Sequence, residues 1–153
     1  MNKIEKKEMQ IIGLELESKT INLNGKSGID ISKLWGKFEK EQIYSKIPNK
    51  INNEIVAVYF DYDGDYTEPF SYLIGCEVTD GTEAPEGMRK ITIPKANYRK
   101  FLAKGKMPDC IGEVWYKIWD TKLDRAYSYD FEIYGEKSQD WENAEVEVFI
   151  GVV

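Results

Sequence analysis

The sequence predicts an α+β fold made of two tandem strand-helix-strand-strand units about a pseudo-twofold axis, with an antiparallel sheet, two helices on one face and a ligand groove on the other. Three observations predict it. Ile31, Leu34, Trp35 and Phe38, and again Ile111, Val114, Trp115 and Ile118, fall at the i, i+3, i+4, i+7 spacing of an amphipathic helix. Several shorter segments are β-branched, aromatic and bounded by turn residues, as strands are. Each helical segment follows one strand and precedes a strand pair, so the element order repeats. Any two amphipathic helices share the apolar spacing; the repeated order is what argues for duplication, with halves at about 5–80 and 87–153 of one 153-residue domain.

In chain order, Ile11-Ile12-Gly13-Leu14-Glu15-Leu16-Glu17 reads as a strand, followed by a Lys/Asn/Gly-rich connection to Gly28. Asp30 serves as the expected N-cap of the first helix, which must end before Pro48. Glu54 to Tyr62 and Phe70 to Val78 form a hairpin whose tip holds Asp63-Gly64-Asp65. The turn-rich run Thr79 to Gly87 is the midpoint. Lys90 to Ile93 and Tyr98 to Ala103 are strand-like on either side of Pro94, which marks a bulge or edge. Pro108 and Asp109 open the second helix, and Tyr127 to Tyr134 and Glu145 to Ile150 alternate as half-buried strands.

Composition narrows the function. The chain is 42% hydrophobic and 31% charged, which is globular. A net charge of −6 opposes direct binding of a phosphate backbone, so no nucleic acid contact is expected. No apolar run approaches the ~18 residues of a membrane span, and Met1 to Glu8 lacks the apolar stretch of a signal peptide, so a cytoplasmic location is expected. Cys76 and Cys110 read as two free buried thiols. The absence of histidine removes Ser-His and Cys-His catalysis, His-ligated haem and the usual zinc sites, so neither metal nor cofactor is expected.

Period-two alternation separates the faces of the sheet. Tyr127, Tyr129, Phe131 and Ile133 share one face, assigned here to the helices, while Ser128, Asp130, Glu132 and Tyr134 share the other with Ile55, Ala57, Tyr59 and Asp61. The second face therefore collects carboxylates and tyrosines. A carboxylate among rings attracts a cationic ligand and has a raised pKa, which also suits it to proton transfer. Asp130 and Glu132 could equally be wet carboxylates on a solvated face. Trp115 reads first as core and second as a ligand-lining residue, and Trp119, off the apolar stripe, as a closure of one end of the cleft. Asp61 to Asp65 lacks the glutamate that completes a calcium loop. Lys33, Lys37 and Lys40 are a solvated helix face, and Glu113 a surface group.

The run Tyr59-Phe60-Asp61-Tyr62-Asp63-Gly64-Asp65-Tyr66-Thr67, the strand Tyr72 to Val78, the Ile93-Pro94-x-x-x-Tyr98 step, the Trp115-x-x-Ile118-Trp119 helix and Tyr129 to Tyr134 together resemble the GyrI-like, AraC-type effector-binding superfamily. The resemblance spans nearly the whole chain. It implies an effector-binding domain with a cavity between the two units, its acidic base at Glu132 and its aromatic lining at Tyr59, Tyr72, Trp119 and Tyr134. A register slip would put Asp130 or Phe131 in that role. It further implies a lipophilic or aromatic cation as ligand. In multidrug-sensing relatives the domain follows a DNA-binding region; here the chain starts at the first strand, so any transcriptional role is expected to run through a separate DNA-binding or protein partner. The alternative it implies is a hydrolase that opens reactive cyclopropane-type compounds, with Glu132 as proton-transfer group and Tyr134 beside it. A third is protein interaction, such as gyrase modulation.

Overall fold

The computed structural model describes residues 3–153; Met1 and Asn2, at the start of the stretch read above for a signal peptide, lie outside the described residues. The chain runs β1 (Lys3–Lys6), β2 (Met9–Glu15), α1 (Lys26–Lys40), α2 (Ile43–Lys46), β3 (Ile55–Phe60), β4 (Ser71–Val78), β5 (Arg89–Ile93), β6 (Ala96–Gly105), α3 (Asp109–Trp119), β7 (Arg125–Tyr134) and β8 (Ala144–Val152), with a 3-10 turn at Glu136–Ser138. All eight strands belong to one sheet in the order β1-β6-β8-β7-β3-β4-β2-β5, and every pairing is antiparallel. The expected repeat is there: β2-α1-β3-β4 and β6-α3-β7-β8 occupy matching halves, and β3 and β7 meet at the centre.

Two short strands close the arrangement. β1 pairs with β6 and β5 with β2 in one continuous register, Lys6 opposite Ala96 and Met9 opposite Ile93. Only Lys7 and Glu8 separate β1 from β2, and only Pro94 and Lys95 separate β5 from β6. Each unit thus lends its leading strand to the other, and the two edges of the sheet are drawn together into a curl. Pro94 sits where the pairing is interrupted, as expected of a residue with no N–H to donate.

The curl creates two cores. Ile11, Val58, Leu73, Ile93, Tyr98, Phe131 and Phe149 fill its inside, drawn together from seven strands, with Ile91 beside them and Ile4 of β1 at the margin. The opposite face packs against α1 and α3 through Ile12, Tyr59, Tyr72, Ile74, Val148, Leu34, Phe38, Val114, Trp115 and Ile118. This exchanges the two faces relative to expectation. Phe131, Tyr129 and Ile133 lie inside the curl, and the helices cover the face that carries Tyr59, Asp130, Glu132 and Tyr134. Alternation separates the two sets, but it gives no sign of which set the helices cover once both are buried.

Local differences have local causes. α1 starts at Lys26 after Gly25, whose left-handed φ of 73° turns the chain into the helix, so Asp30 lies inside it and accepts hydrogen bonds from Thr20 and Lys26 instead of capping. In β7 the pairing to β8 jumps between Arg125 and Asp130, and Tyr127 there takes φ 50°, so strict alternation holds only from Tyr129 onward. At the bend of the other half Gly13 faces Gly75 across β2 and β4, and a Cβ on Gly75 would drive into the carbonyl of Ile12.

That close approach is testable. Gly75→Ala should lower stability to urea by about 1–3 kcal/mol through overpacking. Gly112→Ala, on an open face of α3 with no neighbour near the added methyl, should raise it by up to about 1 kcal/mol.

Candidate functional site

Glu132 stands toward the C-terminal end of β7, opposite Ala57 of β3, where the two units meet. Its side chain points toward the helices and is 1% exposed. Three donors hold it. The Tyr134 hydroxyl donates to Oε1 at 2.6 Å, and the Tyr59 hydroxyl and the Trp115 indole N–H donate to Oε2 at 2.8 and 2.6 Å. Tyr59 comes from β3, Trp115 from α3 and Tyr134 from β7, so the carboxylate ties both units and a helix together. Each donor is neutral, and among the described residues no Lys or Arg contacts Glu132. Burial pushes its pKa up from the ordinary glutamate value, and the bonds from Tyr134, Trp115 and Tyr59 oppose that shift. Burial, reinforced by the Glu132 charge, likewise holds the Tyr59 and Tyr134 hydroxyls well above the usual tyrosine pKa, so they remain donors.

Rings surround this carboxylate. Tyr59 meets Tyr72 at 4.9 Å and Trp115 at 4.8 Å between centroids. Trp35 of α1 packs edge-on against Tyr134 at 5.0 Å and donates its indole N–H to the Tyr72 hydroxyl at 2.9 Å. Trp119 extends the cluster outward, 6.5 Å from Trp115 and stacked on Tyr66, with its buried indole N–H unpartnered among the described residues. Glu132, Tyr59, Tyr72, Tyr134 and Trp115 therefore converge, with Trp119 at the border. Trp115, open from the sequence to a core or a lining role, is both packed and bonded to the carboxylate. Trp35 was missed as a site residue; the repeat places it in register with Trp115, and that correspondence was the available signal.

Asp130 has a different environment. It is fully buried, but Arg125 donates to Oδ2 at 2.8 Å, the Tyr62 hydroxyl donates to the same oxygen, and the Gly151 backbone N–H donates to Oδ1 at 2.8 Å. The Arg125 side chain is itself only 5% exposed and lies over the Tyr127 ring. Burial raises the Asp130 pKa, while Arg125 leads the interactions that oppose the rise. Of two neighbouring buried carboxylates, one has a cation and one has none.

Glu132 is closed off from solvent among the described residues. Aromatic side chains pack around it, and two hollows open at the surface away from it. One, of about 580 Å³, opens beside Phe60, Arg89, Tyr127 and Tyr129; another, of about 430 Å³, lies outside Trp35. Among the described residues no cluster of Cys, Asp and Glu side chains is arranged to hold a metal ion, and no helix is long and apolar enough to cross a membrane.

Two substitutions separate the carboxylates. Arg125→Met should cost about 3–5 kcal/mol, because it strands the buried Asp130 charge, and adding Asp130→Asn should recover much of the loss in the same urea melts. Glu132 behaves differently with pH. Its folded pKa is raised, so the folded state holds the proton more tightly and its stabilisation is complete below the ordinary glutamate value. That contribution is lost as pH rises through the folded pKa. The stability of the wild-type chain relative to Glu132→Gln should therefore fall as pH rises above the ordinary glutamate value of about 4; a flat difference would contradict a raised pKa.

Comparison with known proteins gives the geometry a family. The chain matches the Cass2 family of integron-associated effector binding proteins over residues 4–152. The putative transcriptional regulator YobU of Bacillus subtilis is 21% identical over 126 residues, covering 80% of this chain and 79% of YobU. The transcriptional regulator BrlR of Pseudomonas aeruginosa is 26% identical over 141 residues, covering 88% of this chain but 47% of BrlR, so the match spans about half of that regulator. Among solved structures, an integron cassette protein from the mobile metagenome of Vibrio cholerae superposes with a TM-score of 0.74 at 24% identity, covering 99% of this chain and 95% of the other. SAV2435, solved bound to tetraphenylphosphonium, superposes with a TM-score of 0.80 at 14% identity, covering 99% and 93%. With a model match along nearly its whole length and the same curled α+β sheet, the chain belongs to the GyrI-like integron-associated effector-binding protein family.

Proposed function

We propose that this protein binds a lipophilic or aromatic organic cation at Glu132, and that binding serves a regulatory output passed on by a separate DNA-binding or protein partner in the cytoplasm. The observation that carries the reading is the absence of a countercharge at Glu132. Burying a carboxylate costs several kcal/mol unless something compensates it. Hydrogen bonds to a charged acceptor return about 1.5–3 kcal/mol each, and three of them hold the group in place without cancelling its charge. A cationic ligand supplies what Arg125 supplies to Asp130. The surrounding faces of Tyr59, Tyr72, Tyr134, Trp35 and Trp115 add cation–π attraction and apolar contact. The solved tetraphenylphosphonium complex of SAV2435, and the regulators YobU and BrlR, support the ligand class and the regulatory setting. The net charge of −6 favours cations over nucleic acid as direct partners.

The same carboxylate is the candidate acid or base of the hydrolase reading. That reading has less support, because both carboxylate oxygens are already engaged by donors and Tyr134 is held as a donor by its raised pKa.

Calorimetry with tetraphenylphosphonium and its neutral relative triphenylphosphine oxide tests the proposal. The cation should bind, the neutral compound should bind at least tenfold more weakly, and Glu132→Gln should lose at least tenfold in affinity for the cation, about 1.4 kcal/mol. The cation pairs with the ionised form, so affinity should rise with pH through the raised Glu132 pKa and level off above it, with a proton released on binding below that level. Equal binding of the neutral compound, or an unaffected Glu132→Gln variant, would sink the reading.

A further inference from the structure

We infer that the hollow of about 580 Å³ beside the free edge of β5 is a docking slot for an extended, acidic segment of a partner protein, taken up as an added β-strand. The inference rests on the partner-mediated output proposed above and not on a cation at Glu132. Three consecutive runs of chain line the hollow: Phe60 to Tyr62, Arg89 to Thr92 and Tyr127 to Tyr129. Successive strand residues point to opposite faces, so a pit on one face is lined by alternate residues, whereas a gap in the plane of a sheet is lined by consecutive ones. Residues of both faces meet here. Phe60, Ile91 and Tyr129 belong to the inside of the curl, and Tyr62 packs with the helix-side core. β5 stands at one end of the strand order and pairs only with β2, so the N–H and C=O groups of its other edge have no strand to bond. Regular strand also stops on the facing walls: β3 ends at Phe60 before Asp61 takes φ 53°, and the β7 register breaks around Tyr127, at φ 50°. β5 is five residues long, which at about 3.4 Å per residue sets the length of the segment it can pair.

Charge selects the occupant. The chain carries a net charge of −6, but β5 presents Arg89 and Lys90 side by side at this edge. Arg89 pairs with Glu15 at 2.5 Å and lies 5.4 Å from the centre of the Phe60 ring. Asp61, the one acid on the lining, is 3.6 Å from Lys19. Lys90 has no acidic partner among the described residues, so an incoming carboxylate finds a cation there. Beneath the edge, the Phe60 and Tyr129 rings are stacked at 6.1 Å and offer contact to an apolar side chain of the same segment. Main-chain pairing with side-chain pockets on alternate residues is how sheet edges recognise extended peptides. A second copy of this chain would bring another Arg89 and Lys90 instead of an acid. Charged edge residues guard a strand against pairing with its own kind, and they leave a partner of opposite charge acceptable.

The probe is the acetylated and amidated peptide Glu-Thr-Phe-Thr-Glu-Thr, titrated into the isotope-labelled chain with no lipophilic cation present. The amide resonances of Arg89 to Thr92 should shift saturably, and the amides on the free edge of β5 should exchange with solvent more slowly. Replacing both Glu of the peptide by Lys, or Lys90 of the protein by Glu, should weaken binding about tenfold. Ser128→Trp, at an exposed position on the lining, should fill the slot and abolish binding, with thermal melting showing that both variants fold. Of two peptides N-methylated at alternate sets of residues, the one methylated on the paired edge should lose binding and the other keep it. No saturable shift, shifts centred on another surface, equal binding of the lysine peptide, an unaffected Ser128→Trp variant, or the same result from both N-methylated peptides would overturn the inference. Sedimentation that shows a dimer of the free chain, lost in Ser128→Trp, would assign the slot to a second copy and overturn it too. Since the titration contains no cation, failure of tetraphenylphosphonium to bind would leave a positive result standing, and failure of the peptide would leave the Glu132 site untouched.

Discussion

Glu132 carries its buried charge on hydrogen bonds from neutral groups, and the arrangement of the two units follows from what that requires. A carboxylate away from water needs several donors within bonding distance, each fixed by its own packing. The central β3–β7 pairing supplies Tyr59, β7 itself supplies Tyr134, and α3 reaches over the sheet with Trp115. Tyr59 and Trp115 in turn lean on Tyr72 and Trp119, and Trp35 leans on Tyr134 and bonds Tyr72. The large aromatic share of the chain is thereby explained as scaffolding for one acid as much as core. A tyrosine or tryptophan is suited to that task because one end packs and the other donates.

Asp130, two residues earlier on β7, supports this site from below. Its bonds to Arg125, Tyr62 and the Gly151 backbone pin β7 to β8 at the bulge, where the register would otherwise be loose. Gly151 is required there because a Cβ would come within 2.7 Å of the Tyr129 carbonyl oxygen. The Arg125–Asp130 pair is nearly charge-neutral as a unit, so it can be sealed permanently under Tyr62 and Tyr127. Glu132 is left as the net charge of the buried cluster. A carboxylate with a cation and one without thus sit on one strand and one face.

Much of this was legible in the sequence. The helical stripes, the repeated element order and the convergence of Tyr59, Glu132 and Tyr134 all follow from spacing and parity, because periodicity reports which residues share a face. It does not report what lies over that face. Phe131 and Tyr129 looked like the helix-facing set because they are the more apolar, but β1 and β5 curl the sheet so that this set has a core of its own. Those two strands are four and five residues long and pair across units, a long-range event without a local signature. The pairing of Asp130 with Arg125 was hidden for a similar reason: five residues apart on one strand, they meet only because the bulge and the left-handed Tyr127 turn the chain between them.

Duplication did not produce a symmetric site, and electrostatics explains why. Trp35 and Trp115 occupy matching helix positions and each donates its indole N–H toward the sheet, but one finds a carboxylate and the other a phenol. A second carboxylate in place of the Tyr72 hydroxyl would put two like charges in one low-dielectric cluster, where one of them would have to stay protonated. A single acid avoids that conflict and makes the buried cluster polar along one direction, with its charge under α3 and its neutral, apolar end under α1. An asymmetric ligand with one cationic end and an aromatic body would find a preferred orientation in such a field.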